Sequence, residues 1–166
     1  VKIYLAARYS RRAELQRYAR ELVLLGHEVT ARWLLGQHRI TDEQLAGAAS
    51  TASLDDLRLG QRYARDDITD VAHADLLIAF TEQPRSTSSR GGRHVEHGIA
   101  LALHKPVWLV GPRENVFHTL ADGLFATWPG AVRALGLITA SGLEPSAAGR
   151  LGWVGEARPQ RAEATP

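Results

Sequence analysis

Residues 75–111, DLLIAFTEQPRSTSSRGGRHVEHGIALALHKPVWLVG, constrain the fold more than any other stretch. Asp75–Phe80 turns apolar after its first residue and reads as a buried strand. A loop crowded with Ser, Thr, Arg and Gly follows. A short amphipathic helix is expected over Arg93–His104, and a second buried strand over Val107–Val110. Strand, helix and strand in that order form a βαβ unit, which implies parallel strands with helices packed on the sheet. The polar loop then lies at the carboxyl end of the first strand, the edge at which open α/β sheets bind ligands.

The flanking sequence repeats the alternation. Lys2–Ala6 reads as a first strand, and Ala7, Arg8, Tyr9 and Ser10 as a turn with Ser10 as N-cap. The helix expected over Arg11–Leu25 places Leu15, Tyr18, Ala19, Leu22 and Leu25 on one face, and Gly26 ends it. His27–Ala31 is a second strand, with Arg32 and Trp33 just past its end. Gly36–Ser53 is the least regular segment. The next helix, Leu54–His73, carries an imperfect apolar stripe of Leu54, Leu57, Gln61, Ala64, Ile68 and Val71. Asp66, Asp67 and Asp70 lie near its carboxyl end and oppose the helix macrodipole, so something other than helix stability favours at least one of them.

Beyond the central unit, Gly111–Pro112–Arg113 is a turn, Leu124–Trp128 a short fifth strand and Pro129–Leu135 a last helix with Pro in its first turn. The expected architecture is α/β: a flavodoxin-like (Rossmann-like) three-layer fold with a five-stranded parallel sheet in the order 2-1-3-4-5. Residues 1–138 form the catalytic domain. Residues 139–166, rich in Gly, Ala, Pro, Ser and Arg with Trp153 as the large anchor, form a poorly ordered tail. In this strand order the loops after Ala6 and Phe80 meet at the switch point, bringing Arg8 and Tyr9 to the Ser86–Arg93 loop.

Composition removes several kinds of chemistry. With 166 residues the chain can bury a proper core, and 45% apolar with 23% charged content is ordinary for a soluble globular protein. It has no cysteine, so disulfides, thiolate metal ligands and thiol nucleophiles are excluded. No apolar run is long enough to span a membrane, the amino end lacks a signal-peptide pattern, and a cytoplasmic location is expected. Net charge is only +2, and the arginines are interleaved with acids, so no nucleic acid polymer is expected as a partner. Of the 20 basic residues only Lys2 and Lys105 are lysine; the arginines suit contacts to small phosphorylated ligands but equally fit a bias of base composition.

Glu96 is the sharpest chemical candidate. In the first turn of its helix it would be held ionised by the dipole, as a nucleophile or charge stabiliser requires; a dipole-complementing acid with no further role has the same position. Val95, Ile99, Ala102 and Leu103 form the expected packing face, with Glu96 to one side and Gly98 leaving room for a ligand. Ser86, Ser88, Ser89, Arg90, Gly91 and Gly92 offer hydroxyls, a guanidinium and backbone N–H groups before a helix start, which is anion-binding chemistry without a Walker pattern; a solvated loop has the same composition. His94 and His97 lack a third ligand nearby, so no metal is expected. Asp67 and Asp75 are candidate second carboxylates, with Asp67 facing the cleft. Trp33 and Tyr9 could stack on a flat base or pack into the core.

IYLAARYS, RDDITDVAHADLLIAF, GRHVEHGIALALHKPVWLVG and GPRENVFH together resemble the nucleoside 2-deoxyribosyltransferase superfamily, which includes the 2'-deoxynucleoside 5'-phosphate N-hydrolases. The likeness covers about Lys2–Leu135. Its most specific part is Glu-x-Gly-x-Ala, met by Glu96, Gly98 and Ala100. The resemblance implies a flavodoxin-like fold, cleavage of an N-glycosidic bond, and Glu96 as the nucleophile at C1' of deoxyribose. Asp67 would orient the sugar or assist proton movement at the base. Tyr9 would help position Glu96 or the substrate, though the family's turn usually contains Gly where AARYS stands. Asn115 matches a site residue only loosely. No cofactor is implied; a small nucleoside or nucleotide is the partner, and a homodimer or larger homo-oligomer the assembly. The alternatives are a nucleotide-binding or sensing module without turnover, and a glycohydrolase acting on NAD or ADP-ribose. The latter ranks lower because no G-x-G-x-x-G follows the first strand.

Overall fold

In the computed structural model the chain is described over residues 1–36, 38, 54–83 and 91–150. Strands β1 (Lys2–Ala6), β2 (Glu28–Val29), β3 (Leu76–Phe80), β4 (Val107–Val110) and β5 (Gly123–Phe125) form one sheet in the order 2-1-3-4-5. Every pairing is parallel, with Ile3 opposite Leu76 and Leu77 opposite Val107. This is the expected flavodoxin-like arrangement. β3 has no exposed position because helices cover both faces, which is why its sequence is continuously apolar.

Helix α1 (Arg12–Leu24) and helix α4 (Trp128–Ser141) share one face of the sheet. Tyr18 of α1 stacks on Phe80 at 5.5 Å and on Trp128 at 4.6 Å, and the Trp128 indole N–H donates to Glu21 Oε2 at 2.6 Å. Helices α2 (Leu54–His73) and α3 (Gly92–Ala102) pack together on the other face, where Val71 and Ala100 are fully buried. Among the described residues no helix is long and apolar enough to cross a membrane.

Several local expectations are corrected. Ser10 does not cap α1; it lies in a 3-10 turn, Tyr9–Arg11, and Arg11 takes the N-cap position without a side-chain bond. Leu25 is exposed. β2 is only Glu28–Val29, although the Thr30 N–H continues the ladder to the Ile3 carbonyl at 3.0 Å. The last helix runs on to Ser141, and a 3-10 turn at Pro145–Arg150 follows, its Pro145 carbonyl accepting the Trp108 indole N–H at 3.1 Å. Residues 139–150 are therefore built onto the domain. Trp153 lies outside the described residues.

Two helices present a different face from the one their apolar spacing suggests. On α2, Leu57, Gln61, Ala64 and Ile68 are exposed, while Tyr63, Asp70 and Val71 are buried. On α3, Val95 and Leu103 are exposed, while Arg93, His97 and Ala100 are buried. In each case buried polar side chains share the inner face with apolar ones, and apolar periodicity does not register them.

One turn at the carboxyl edge is tightly constrained. Gly111 has φ +119°, and a Cβ there would lie 2.6 Å from Thr81 Oγ1 and 2.7 Å from the Thr81 carbonyl oxygen. Its N–H also anchors β5 by donating to the Phe125 carbonyl at 2.9 Å. Gly111→Ala is expected to cost about 2 kcal/mol or more of stability, from backbone strain plus overlap, as measured by equilibrium urea unfolding.

Candidate active site

The site is built on the α2/α3 face, beneath the carboxyl edge of β1 and β3. Alternation along β1 sends the Tyr4 side chain to this face, fully buried in an otherwise apolar strand. A buried phenol requires a hydrogen-bond partner. Tyr4 donates its O–H to Glu96 Oε1 at 3.0 Å, joining positions 92 residues apart. The second carboxylate oxygen, Glu96 Oε2, is buried and has no hydrogen-bond partner among the described residues.

Glu96 does not sit where the dipole acts most strongly. α3 begins at Gly92, so its first turn holds no acid and Glu96 falls in the second turn, where the effect has declined. The expected ionised state is accordingly corrected. Burial, with added repulsion from the Asp67 carboxylate, pushes the Glu96 pKa up to about 8; the Tyr4 hydrogen bond and the Arg93 charge oppose this without reversing it. Asp67, on α2, is also raised: burial is the main cause, with Asp70 and Asp66 adding to it and His38 acting against it. The Tyr4 phenol is raised well above its ordinary range by burial and by these carboxylates, so its proton stays on the ring oxygen.

The three acids near the carboxyl end of α2 differ in their partners. Asp70 accepts from the Arg32 backbone N–H at 2.9 Å and from Arg32 Nε at 2.8 Å, and Asp66 pairs with the same guanidinium at 3.1 Å. Asp67 meets His38 at 3.4 Å, and His38 stacks on Tyr63 with ring centres 4.5 Å apart. Of the three, Asp67 is the one whose charge acts on Glu96.

A second polar cluster borders the pair. Glu114, in the loop after β4, accepts the Glu82 N–H at 2.6 Å through Oε1, and Arg93 at 2.6 Å through Oε2. His94 Nε2 lies 3.1 Å from the same Oε2, and the Glu114 N–H donates to His118 Nδ1 at 3.1 Å. Burial alone would raise Glu114, but the Arg93 bond and the Glu82 N–H outweigh it and hold its pKa below the usual carboxylate range. Burial lowers His97 to about 4 and also lowers His118, so both rings are neutral near pH 7. Among the described residues no three His, Asp or Glu side chains converge as a metal-ligand set.

The remaining candidates are distributed unevenly. Arg8 pairs with Glu82 at 2.8 Å, which places the loops after β1 and β3 side by side. Tyr9 does not reach Glu96 by any hydrogen bond; its hydroxyl lies 3.4 Å from the Gly36 carbonyl and 3.3 Å from Arg12, and Tyr4 holds the glutamate in its place. Trp33 is buried, with its indole N–H donated to the Leu5 carbonyl at 2.9 Å, so it packs rather than offering a free stacking face. Asp75 lies at the amino edge of the sheet, accepting the Lys2 N–H at 2.8 Å, because it precedes β3. It is not brought to the pair. Gly91, with φ +82°, and Gly92 open α3, while Gly98 is exposed and a Cβ there would meet no atom within 4 Å. Asn115 caps the 3-10 turn Val116–Leu120 by accepting the Phe117 N–H at 2.9 Å, and its Nδ2 lies 3.4 Å from His94 Nδ1. Ser86, Ser88, Ser89 and Arg90 lie outside the described residues.

Tyr4 and His38 are the site residues that sequence reasoning passed over. A single tyrosine in KIYLA was the available signal, since a phenol in a fully buried strand must find an acceptor. His38, in an irregular segment, offered none.

Fold and site together define a flavodoxin-like α/β protein with a half-buried pair of carboxyl groups beneath the carboxyl edge of its sheet. No family model matches the sequence, and no curated protein sequence matches it. Among solved structures it is similar to the 2-deoxyribosyltransferase of Bacillus psychrosaccharolyticus, with a TM-score of 0.58 and 20% identity over 79% of this chain and 90% of that one. It is also matched to the CMP N-glycosidase BcmB of Clostridium botulinum, with a TM-score of 0.47 and 19% identity over 82% of this chain and 99% of that one. The likeness to the deoxyribosyltransferase is one of fold, in agreement with the resemblance read from the sequence motifs.

The raised pair has a consequence for stability. A folded chain that keeps the Glu96 proton up to about pH 8, when an unfolded one releases it near 4.5, binds more protons in that window. Stability is therefore expected to fall as pH rises through it, by at most about 1.4 kcal/mol per pH unit from this one group. Glu96→Gln should reduce that slope, and Tyr4→Phe should extend it to higher pH by removing a bond that favours the anion. Urea unfolding at a series of pH values measures both.

Proposed function

We propose that this protein cleaves the N-glycosidic bond of a 2'-deoxynucleoside or its 5'-monophosphate, with Glu96 as the nucleophile. The observation that supports this most is the convergence of Glu96, Tyr4 and Asp67 in one buried cluster. Displacement at a sugar carbon needs a carboxylate to attack and an acid to protonate the leaving base. Two carboxyl groups whose surroundings resist double ionisation can share one proton between those tasks.

In the reactive form the proton rests on Asp67 and Glu96 is the anion. A Glu96 oxygen bonds to C1' as the C1'–N bond breaks, and the base leaves with that electron pair and the Asp67 proton. The product is a glycosyl ester on Glu96. Water then attacks C1', giving its proton to the Asp67 carboxylate, and the Glu96–C1' bond breaks; a second base in place of water makes the same chemistry a transfer. Tyr4 holds the attacking group through both steps.

The finer assignments rest on the motifs. Ser86, Ser88, Ser89 and Arg90, with Gly91 and Gly92 at the start of α3, would receive a 5'-phosphate, and this favours the monophosphate as substrate and water as acceptor. The exposed α2 stripe of Leu57, Ala64 and Ile68 supports a homo-oligomer, in which an apolar face is covered by another copy.

Base release, followed by chromatography on a panel of ribo- and deoxyribonucleosides and their 5'-monophosphates with and without added free base, tests the reading. Release from monophosphates in water is expected, with a bell-shaped pH dependence from the shared proton. Glu96→Ala, with its fold intact, should lower the rate by at least about 10³-fold. No release from any member of the panel, or full activity in Glu96→Ala, would overturn it.

A further inference from the structure

We propose that Glu114 is a positioning residue for Glu96, acting through Arg93. It holds that guanidinium one helical turn ahead of Glu96 and offsets its charge. The loop after β4 contributes nothing to the carboxylic pair directly, yet its Glu114 ties together the parts of the carboxyl edge that surround the pair. One carboxylate oxygen takes the backbone N–H of Glu82 after β3, and the other takes Arg93 in the first turn of α3, each at 2.6 Å. Glu82 in turn holds Arg8 of the loop after β1 at 2.8 Å. The Glu114 carboxylate thus joins the loops after β3 and β4 to the helix that carries Glu96, and the Glu82 carboxylate links the loop after β1 to them.

Fold stability alone does not account for this arrangement. The Arg93 and Glu114 side chains are 5% and 10% exposed, and an ion pair so deeply buried costs about as much in desolvation as it returns. An apolar pair of similar volume would also join helix to loop, at the cost of the Glu82 N–H acceptor. What an apolar pair could not do is act on the charge of Glu96. Among the described residues the groups that act on Glu96 are Tyr4 from β1, Asp67 from α2 and Arg93 from its own helix. Asp70, further along α2, acts on Tyr4. Arg93 is the cation in that set, and Glu114 lies against it. Glu114 itself is faced by Arg93 and His94 from α3 and by His118 from the 3-10 turn, with the His97 ring edge-on to His118 at 4.9 Å.

The consequence for turnover rests on the reading of Glu96 given above, but the test does not. Glu114→Gln keeps an acceptor for the Glu82 N–H and for Arg93 and removes one negative charge. In protein labelled with ¹³C at glutamate carboxyl carbons, with Glu96→Gln used to assign the Glu96 signal, the Glu96 titration midpoint should fall by roughly half a unit or more. The alkaline limb of base release should move the same way. Arg93→Gln should raise the midpoint. Glu114→Gln added to Arg93→Gln should produce a clearly smaller shift than it does alone, because its effect passes through Arg93. Circular dichroism and a thermal midpoint establish that each variant is folded. A folded Glu114→Gln whose Glu96 midpoint stays or rises overturns the proposal, as does an equal shift in both backgrounds; so does a folded Arg93→Gln with an unchanged midpoint, which decides the matter even if the other variant does not fold. These shifts without base release from the unmodified protein would overturn the proposed reaction and leave the role of Glu114 standing.

Discussion

Two carboxyl groups buried beside each other cannot both be ionised cheaply, and the α2/α3 face of the sheet is arranged around that constraint. Tyr4 donates its one proton to one oxygen of Glu96, and the other oxygen has no partner among the described residues. A fully ionised Glu96 in such a position is under-solvated, so the group holds a proton to about pH 8. Packing follows from this. β1 must carry a tyrosine where an aliphatic residue would fill the layer, and α3 must present its polar side to the sheet. The same features that make the pair costly make it chemically useful on the proposed reading, because a displaced base needs an acid and a sugar carbon needs an anion, and the pair supplies both from one proton.

The acids of α2 show how the surrounding structure meets that cost. Asp66 and Asp70 are both bound by Arg32, from the short 3-10 turn after β2, and Asp70 also takes the Arg32 backbone N–H. These contacts draw the turn onto the end of α2 and offset acids that the helix dipole disfavours. Asp67 is met by His38 at 3.4 Å, and the other ring nitrogen of His38 lies 3.6 Å from Asp66. An arginine always carries its charge and would hold a carboxylate ionised; an imidazole need not. Asp70 and Asp66 are thus held by the fixed charge of Arg32, whereas the pKa of Asp67 is raised by burial and by its acidic neighbours.

The sheet was legible in the sequence because each of its central strands is covered on both sides, so continuous apolar runs and their order determine the topology. Glu96 was legible because it belongs to a local motif. Tyr4 was not assigned, since its partner lies 92 residues away and nothing local links them. The inner faces of α2 and α3 were misassigned for a related reason: Leu57, Ile68, Val95 and Leu103 follow a helical period and are exposed, while Asp70, Arg93 and His97 are buried because each packs into a polar cluster. Periodicity reads hydrophobicity, and a face built from paired charges looks like a solvated one. Asp75 failed as a site residue on simpler grounds, since a residue before a parallel strand lies at the edge opposite its loops.

The charges at the carboxyl edge fall into an outer and an inner tier. In the outer tier Arg8 meets Glu82 at 2.8 Å and Arg93 meets Glu114 at 2.6 Å. The inner tier is Glu96, Asp67 and the Tyr4 hydroxyl, with a histidine as its basic neighbour. Arg93 stands between the tiers. Were its charge directed wholly inward it would favour an ionised Glu96, and the carboxyl group would titrate nearer to an ordinary acid. Arg93 is paired with Glu114 at 2.6 Å, and at Glu96 burial prevails over the Arg93 charge. The elevated pKa of Glu96 thus follows from its burial and the Asp67 charge, which the Tyr4 hydrogen bond and the Arg93 charge do not outweigh.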